Sequence, residues 1–163
     1  MAKSPSHKWG QIIGQDFLEV AMDSLLRDMA RKHDLFLDRK GTRQARKGKR
    51  ISWEDLYGNA HDMDFVFERG GTLERIGVPV AFIETAWRRY TKHSRNKAQE
   101  IQGAVLPLVT THQRHAPFIG VIVAGDWTGG ALKQLQSLLT RRLSGLYDRH
   151  SWERQVGPRP QRP

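Results

Sequence analysis

Two acidic residues lie on neighbouring segments that both have the pattern of β-strands. Asp64 falls in residues 61–69, where apolar and polar residues alternate, and Glu84 falls near the end of the apolar residues 78–87. A short connection joins the segments, so a hairpin-like pairing would put the two carboxylates side by side. Mg²⁺ prefers oxygen ligands, and bound Mg²⁺ can activate water and neutralise charge on a phosphate. The pair therefore predicts a magnesium-dependent hydrolytic site.

Other side chains that could bind a metal offer weaker patterns. Asp62 has the same strand parity as Asp64, so the alternation alone leaves both residues open as the metal ligand on this segment. The chain has no cysteine, which excludes thiolate metal sites and disulfides. No spacing typical of a zinc site relates the histidines His61, His93, His112 and His115. We therefore expect neither zinc nor HNH-type chemistry.

The charge of the chain points to a polyanionic partner. Lysine and arginine together number 27 against 17 acidic residues, which gives a formal net charge of +10 over 163 residues. Nucleic acid is the first expectation, and an anionic membrane surface is the second. No apolar run is long enough to cross a bilayer, and the first residues lack the apolar centre of a signal peptide. A cytoplasmic nucleic-acid-binding protein is the resulting prediction.

The cations are concentrated in two parts of the sequence. Seven of the residues from 39 to 50 are cationic, and the absence of large aliphatic residues predicts an exposed, mobile loop. Such a loop serves either solubility or contact with phosphates. A second group follows Glu84 and includes Tyr90, an arrangement that would also suit stacking on a single strand. The predicted nucleic-acid-binding residues are Arg43, Arg46, Lys47, Lys49, Arg50, Arg88, Arg89, Lys92 and Arg95.

Periodicity predicts three helices around these segments. Apolar residues at helical spacing predict the first helix over residues 15–31. Ser94 can cap a second helix that runs to Leu106, where Pro107 should end it. A third helix carries Leu132, Leu135 and Leu139 on one side and loses its periodicity after residue 141.

The predicted strands complete an α/β fold in one domain. Residues 117–124 form another buried strand, and residues 50–53 form an extra strand that would pair with residues 61–69. Alternation of helices and strands in this order predicts a mixed β-sheet flanked by helices. The domain should span residues 1–145, and the Arg/Pro-rich residues 146–163 should be a disordered tail.

An acid on one strand and an acid on the next resembles the PD-(D/E)xK nuclease superfamily. Here Asp64 precedes Phe-Val-Phe, which resembles the family's acidic strand and favours Asp64 over Asp62, and Glu84 precedes Thr-Ala-Trp-Arg. The element order over residues 12–140 is also similar. The resemblance implies a restriction-endonuclease-like core, Mg²⁺ held by Asp64 and Glu84, and hydrolysis of double-stranded DNA. A finer similarity to type II restriction enzymes implies a homodimer that restricts foreign DNA.

The sequence departs from the family pattern at the position of the lysine. Ala86 stands where the family has its acid-x-Lys lysine, and members of the superfamily are known to move this side chain to a neighbouring element. Lys97, at the start of the second helix, is the predicted replacement. Arg88 has the parity to reach the phosphate, but a guanidinium stays protonated and cannot act as a base. Glu19 matches a further acid that this fold often supplies from its first helix.

Two other interpretations remain open from the sequence. The first is a catalytically degenerate DNA-binding module of the same fold, which Ala86 and the Arg/Pro-rich ending favour. The second is a small RNA-binding protein, which shares the charge but gives no reason for Asp64 and Glu84 to converge. The chain is also short for a complete restriction enzyme, which favours a truncated member of the family.

Overall fold

The computed structural model describes residues 5–146, with side chains from Trp9 to Leu138, and arranges their strands in one sheet and one hairpin. In chain order the elements are α1 (Pro5–Lys32), β1 (Phe36–Arg39), β2 (Ile51–Glu54), β3 (Ala60–Met63), β4 (Phe65–Arg69), β5 (Val78–Arg88), α2 (Ser94–Thr111), β6 (Phe118–Gly125) and α3 (Gly129–Leu146). Within these residues, no helix combines the length and the apolarity needed to cross a bilayer. The predicted tail lies outside them apart from the end of α3.

The sheet is mixed and has the strand order β1-β4-β5-β6. β4 runs antiparallel to β1 and β5, whereas β5 and β6 are parallel and are connected through α2. A parallel pair requires a crossover of this kind, because a tight turn can join only antiparallel strands. β2 and β3 form a separate antiparallel hairpin. The prediction of an α/β domain with a mixed sheet flanked by helices is confirmed.

Helices cover both faces of the sheet. On one face α1 buries Leu26 and Ala30 against apolar side chains of β4 and β5. On the other face α2 and α3 bury Ile101, Val105 and Leu135 against the opposite side of the same strands. Because successive strand residues alternate between faces, neighbouring residues of β5 meet α1 and α2 in turn. A residue on either helix can therefore reach one alternate set of β5 side chains.

Two glycines let the first half of α1 lie close to β5. A Cβ atom on Gly14 would overlap the Trp87 indole, and a Cβ atom on Gly10 would overlap the Arg89 guanidinium. The glycines are four residues apart, so they share one helix face. Their lack of a side chain sets the distance between α1 and the end of β5.

A Gly14→Ala substitution is expected to destabilise the protein, although alanine is the better helix former. Alanine gains about 0.5–1 kcal/mol over glycine in a helix interior, but the overlap with Trp87 should cost about 1–3 kcal/mol. Gly103→Ala in α2 is the control, because a Cβ atom there meets open space and should stabilise the fold. Urea unfolding measures both. A stabilised Gly14→Ala variant would show that α1 does not approach β5 this closely.

Three expectations about element boundaries are wrong. α1 begins at Pro5, ten residues before the predicted start. α2 passes through Pro107 and ends at Thr111, because the fully buried Leu108 holds the last turn against the core. The predicted strand over residues 61–69 is two strands, β3 and β4, which are separated by Asp64. The extra strand β2 pairs with β3 alone, and β1 was not predicted.

Part of the basic segment after β1 is buried, whereas the sequence predicted an exposed loop. The Arg43 side chain is 3% exposed and forms a bidentate ion pair with Glu68, with nitrogen–oxygen distances of 2.6 and 2.9 Å. Its guanidinium also lies 2.9 Å from the Asp38 carboxylate. Arg46 is 10% exposed and pairs with Asp38 as well. These two arginines were predicted as DNA contacts on an open loop. Their side chains instead form buried ion pairs that stabilise the fold.

Candidate active site

The structure places Asp64 next to Glu84. Pairing of β4 with β5 starts at Phe65, which is opposite Ile83, so Asp64 enters β4 beside the next residue of β5. The backbone N–H of Asp64 donates a hydrogen bond to Oε1 of Glu84 at 3.3 Å. The predicted proximity of these two residues is confirmed. It arises from the antiparallel register between β4 and β5.

Thr85 fixes the orientation of the Asp64 carboxylate. Its backbone N–H and its hydroxyl donate to Oδ2 of Asp64, at 2.7 and 2.8 Å. Both hydrogen bonds fall on the same oxygen, so Oδ1 is the oxygen available to a ligand among the described contacts. The carboxylate occupies the place where β4 would otherwise continue its backbone pairing with β5. This replacement explains why the predicted strand is interrupted at Asp64.

Glu84 is a buried carboxylate in a negative environment. Only 6% of the residue is exposed. Burial, followed by the charge of Asp64, raises the pKa of Glu84 to about 8. The charge of Lys97 acts in the opposite direction, so Lys97 lies within electrostatic reach of this carboxylate. A strongly raised pKa with a specific charged neighbour is a feature of functional sites.

Lys97 and Glu100 approach the carboxylate pair from α2. The Lys97 side chain is 19% exposed, and its Nζ donates to Oε1 of Glu100 at 2.6 Å. Arg88 lies in the same area, since the charge of Glu100 partly opposes the lowering of the Arg88 pKa by burial. Among the described residues, Nε of Arg88 is one of few buried side-chain donors that lack a hydrogen-bond partner. Lys97 and Glu100 therefore act on Glu84 from its α2 side, and Arg88 lies within electrostatic reach of Glu100.

Glu19 is connected to the other side of the site through Gln15. Nε2 of Gln15 donates to Oε1 of Glu19 at 2.9 Å and to Oγ1 of Thr85 at 3.1 Å. Glu19 is thus linked to Thr85 through the Gln15 amide, which is its described hydrogen-bond partner. No motif in the sequence indicated Gln15, Thr85 or Glu100 as site residues.

Asp62, the competing candidate, faces away from Glu84. Its carboxylate accepts hydrogen bonds from the Ser52 hydroxyl and, at 3.0 Å, from Arg50. These partners belong to the β2–β3 hairpin and the residue before it. The interruption at Asp64 breaks the alternation that would have pointed both carboxylates the same way. Asp64 alone therefore joins Glu84.

Exposed cations lie on two sides of the carboxylate pair. Ile51 pairs with Met63, so the residues just before β2 lie beside Asp64. Of the predicted nucleic-acid contacts in this segment, Lys47, Lys49 and Arg50 are exposed, and Arg50 directly precedes β2. On the other side Arg89, Lys92 and Arg95 are exposed where β5 leads into α2.

The donor set suits a divalent cation that is shared with a substrate. Among the residues that the structure describes, no group of three or more His, Cys, Asp or Glu side chains could hold a metal alone. Mg²⁺ characteristically uses one or two carboxylates and completes its shell with water and phosphate oxygens. Asp64 and Glu84 meet that requirement, because a cation between them would relieve the repulsion of two carboxylates in a buried setting.

Comparisons of this chain with models of protein families, with curated proteins and with solved structures find no match.

Proposed function

We propose that this protein is a magnesium-dependent endonuclease that hydrolyses phosphodiester bonds of double-stranded DNA. The observation that carries the proposal is the proximity of Asp64 and Glu84, where the Asp64 backbone N–H donates to the Glu84 carboxylate. Lys97 lies within electrostatic reach of Glu84 on the adjacent helix. The order of one helix, three sheet strands, a crossover helix and a fourth, parallel strand supports a restriction-endonuclease-like core. The net charge of +10 supports a polyanionic substrate.

Each group at the site has a role in this proposal. Asp64 and Glu84 would hold Mg²⁺, which supplies activation of water and neutralises charge at the scissile phosphate. Lys97 would orient the attacking water or take its proton, because a lysine amine can act as a base and a guanidinium cannot. Arg88 stays charged and stabilises the phosphate. The exposed cations on both sides bind the DNA backbone.

The biological role that fits best is restriction of foreign DNA by a homodimer. Two copies would bring two such sites to the two strands of a symmetric target. Cleavage of unmodified phage DNA into discrete fragments is the result that this role requires.

Cleavage of supercoiled plasmid tests the proposed function directly. With Mg²⁺ the protein should cut the plasmid, and with EDTA it should not. Asp64→Asn should reduce the rate by about 100-fold or more, which corresponds to ~2.7 kcal/mol of transition-state stabilisation. Asp62→Asn is the matched control, since Asp62 lies two residues away on the hairpin and should retain activity. Plasmid that is retarded on a gel but stays intact would support a degenerate binding module, and equal loss in both variants would refute the assigned site.

A further inference from the structure

Among the strands of residues 5–146, none covers one backbone edge of the outer part of β5. β4 reaches only as far as the Phe65–Ile83 pair, while β6 accompanies the opposite edge of β5 to Arg88. The backbone groups of the alternate residues 85, 87 and 89 therefore point to a side where the sheet has ended. Unpaired backbone groups at such a position need other partners.

Side-chain amides of α1 bond to this edge. Gln15 accepts from the Trp87 N–H at 2.9 Å and donates to the Thr85 carbonyl at 3.3 Å. Gln11 donates to the Trp87 carbonyl and accepts from the Arg89 N–H at 3.3 Å. The two glutamines are one helical turn apart, so their amides act like successive residues of a neighbouring strand.

The two glutamines differ in one contact that leads to the site. Nε2 of Gln15 also bonds to the Thr85 hydroxyl, and that hydroxyl holds Oδ2 of Asp64. Gln11 has no described contact with Thr85. When Gln15 occupies the Thr85 oxygen as a donor, the hydroxyl proton is directed to the carboxylate. The Asp64 carboxylate is therefore oriented through a chain that begins on α1.

We propose that Gln15 is a positioning residue for Asp64, acting through the Thr85 hydroxyl. The proposal rests on the proposed function, in which Asp64 binds the metal. A residue that orients a metal ligand typically contributes about 10–100-fold to metal affinity. Gln15 should therefore set how tightly the site binds a divalent cation, whereas Gln11 should only hold α1 against β5.

Mn²⁺ binding by calorimetry, without DNA, tests this role independently of catalysis. Gln15→Ala and Thr85→Val should each weaken Mn²⁺ binding by about 10-fold, and the double variant should lose little more, because both residues act on one carboxylate. Gln11→Ala and Thr85→Ser should bind Mn²⁺ within about two-fold of the wild type, because both keep a hydroxyl at residue 85 and the Gln15 amide that donates to it. Thermal unfolding of each variant shows whether the fold is kept.

Plasmid cleavage in parallel separates this proposal from the proposed function. If the Gln15 and Gln11 variants differ in Mn²⁺ binding but the wild type never cuts DNA, Gln15 positions Asp64 and the nuclease proposal fails. If the wild type cuts DNA and both glutamine variants weaken Mn²⁺ binding equally, Gln15 serves only to dock α1. Absence of Mn²⁺ binding in the wild type would also overturn the positioning role.

Discussion

Replacing Glu84 with glutamine is expected to abolish magnesium-dependent cleavage and to stabilise the metal-free protein. Cleavage is lost because the amide offers the metal no charge. Stability rises because the fold buries Glu84 beside Asp64, which raises its pKa to about 8. An ionised carboxylate in that place disfavours the folded state, and a glutamine of the same shape removes the penalty. Such opposition between stability and function is typical of active sites.

The gain in stability should depend on pH in a defined direction. Between the ordinary pKa of a glutamate and about 8, the folded state keeps the Glu84 proton that the unfolded state has lost. The folded protein therefore binds more protons in this window, and its stability falls as the pH rises through it. Each pH unit costs up to about 1.4 kcal/mol from this group. The advantage of Glu84→Gln should be small at pH 4.5 and largest at pH 8 and above.

Thermal unfolding of the wild type and the variant in EDTA, across this pH range, measures the effect. Glu54→Gln on β2 is the control, because that carboxylate is exposed. Its substitution should change neither the stability of the metal-free protein nor the rate of DNA cleavage. Added Mg²⁺ should stabilise the wild type by mass action and leave Glu84→Gln unchanged. A variant that is less stable than the wild type at pH 8, or that still cuts DNA, would contradict this account of Glu84.

The carboxylate pair could be predicted because it depends on short-range patterns. Alternation located Asp64 on one strand, the apolar run located Glu84 on the next, and a short connection made them neighbours. The interruption at Asp64 could not be predicted, since it depends on hydrogen bonds from Thr85, 21 residues further along. The prediction that Asp62 and Asp64 point the same way was therefore wrong. Only the family resemblance favoured Asp64 over Asp62 as the metal ligand.

The role of the N-terminal part of α1 was hidden by its own composition. The apolar periodicity used to predict this helix begins only at residue 15, and glycine is a poor helix former, so nothing local indicated that Gly10 and Gly14 are helical. In the fold those glycines allow close approach to β5, and the glutamine after each one bonds to its edge. The repeated Gly-Gln, with a spacing of four residues, is the signal that could have revealed this contact. Tertiary contacts outweigh propensity here, as they do for Pro107 in α2.

The basic segment shows why charge alone does not identify DNA contacts. Composition treated its cations as equivalent, yet the fold buries Arg43 and exposes Lys47. Glu68 and Asp38, which bind the guanidinium, lie on two adjacent strands and were not considered as its partners. Long-range ion pairs of this kind have no local pattern in the sequence.

Replacing Arg43 with methionine is expected to destabilise the protein severely. Burial lowers the pKa of Arg43, but Glu68 and Asp38 more than compensate and hold it above its usual value. The guanidinium also donates to the carbonyl oxygens of Thr72 at 2.9 Å and Arg75 at 2.7 Å. Without it, the buried Glu68 carboxylate would lose its ion pair and Asp38 would keep only Arg46. Breaking a buried ion pair costs about 3–5 kcal/mol.

Lys47→Met separates the structural role of Arg43 from DNA binding. Lys47 is exposed, so its loss should change the free energy of unfolding by less than about 0.5 kcal/mol. It should weaken DNA binding and reduce the salt dependence of that binding by about one ion. Urea unfolding and DNA titration at several salt concentrations measure both variants. If Arg43→Met kept wild-type stability and lost only DNA affinity, the buried ion pairs would not be holding the fold, and Arg43 would belong to the DNA-binding surface after all.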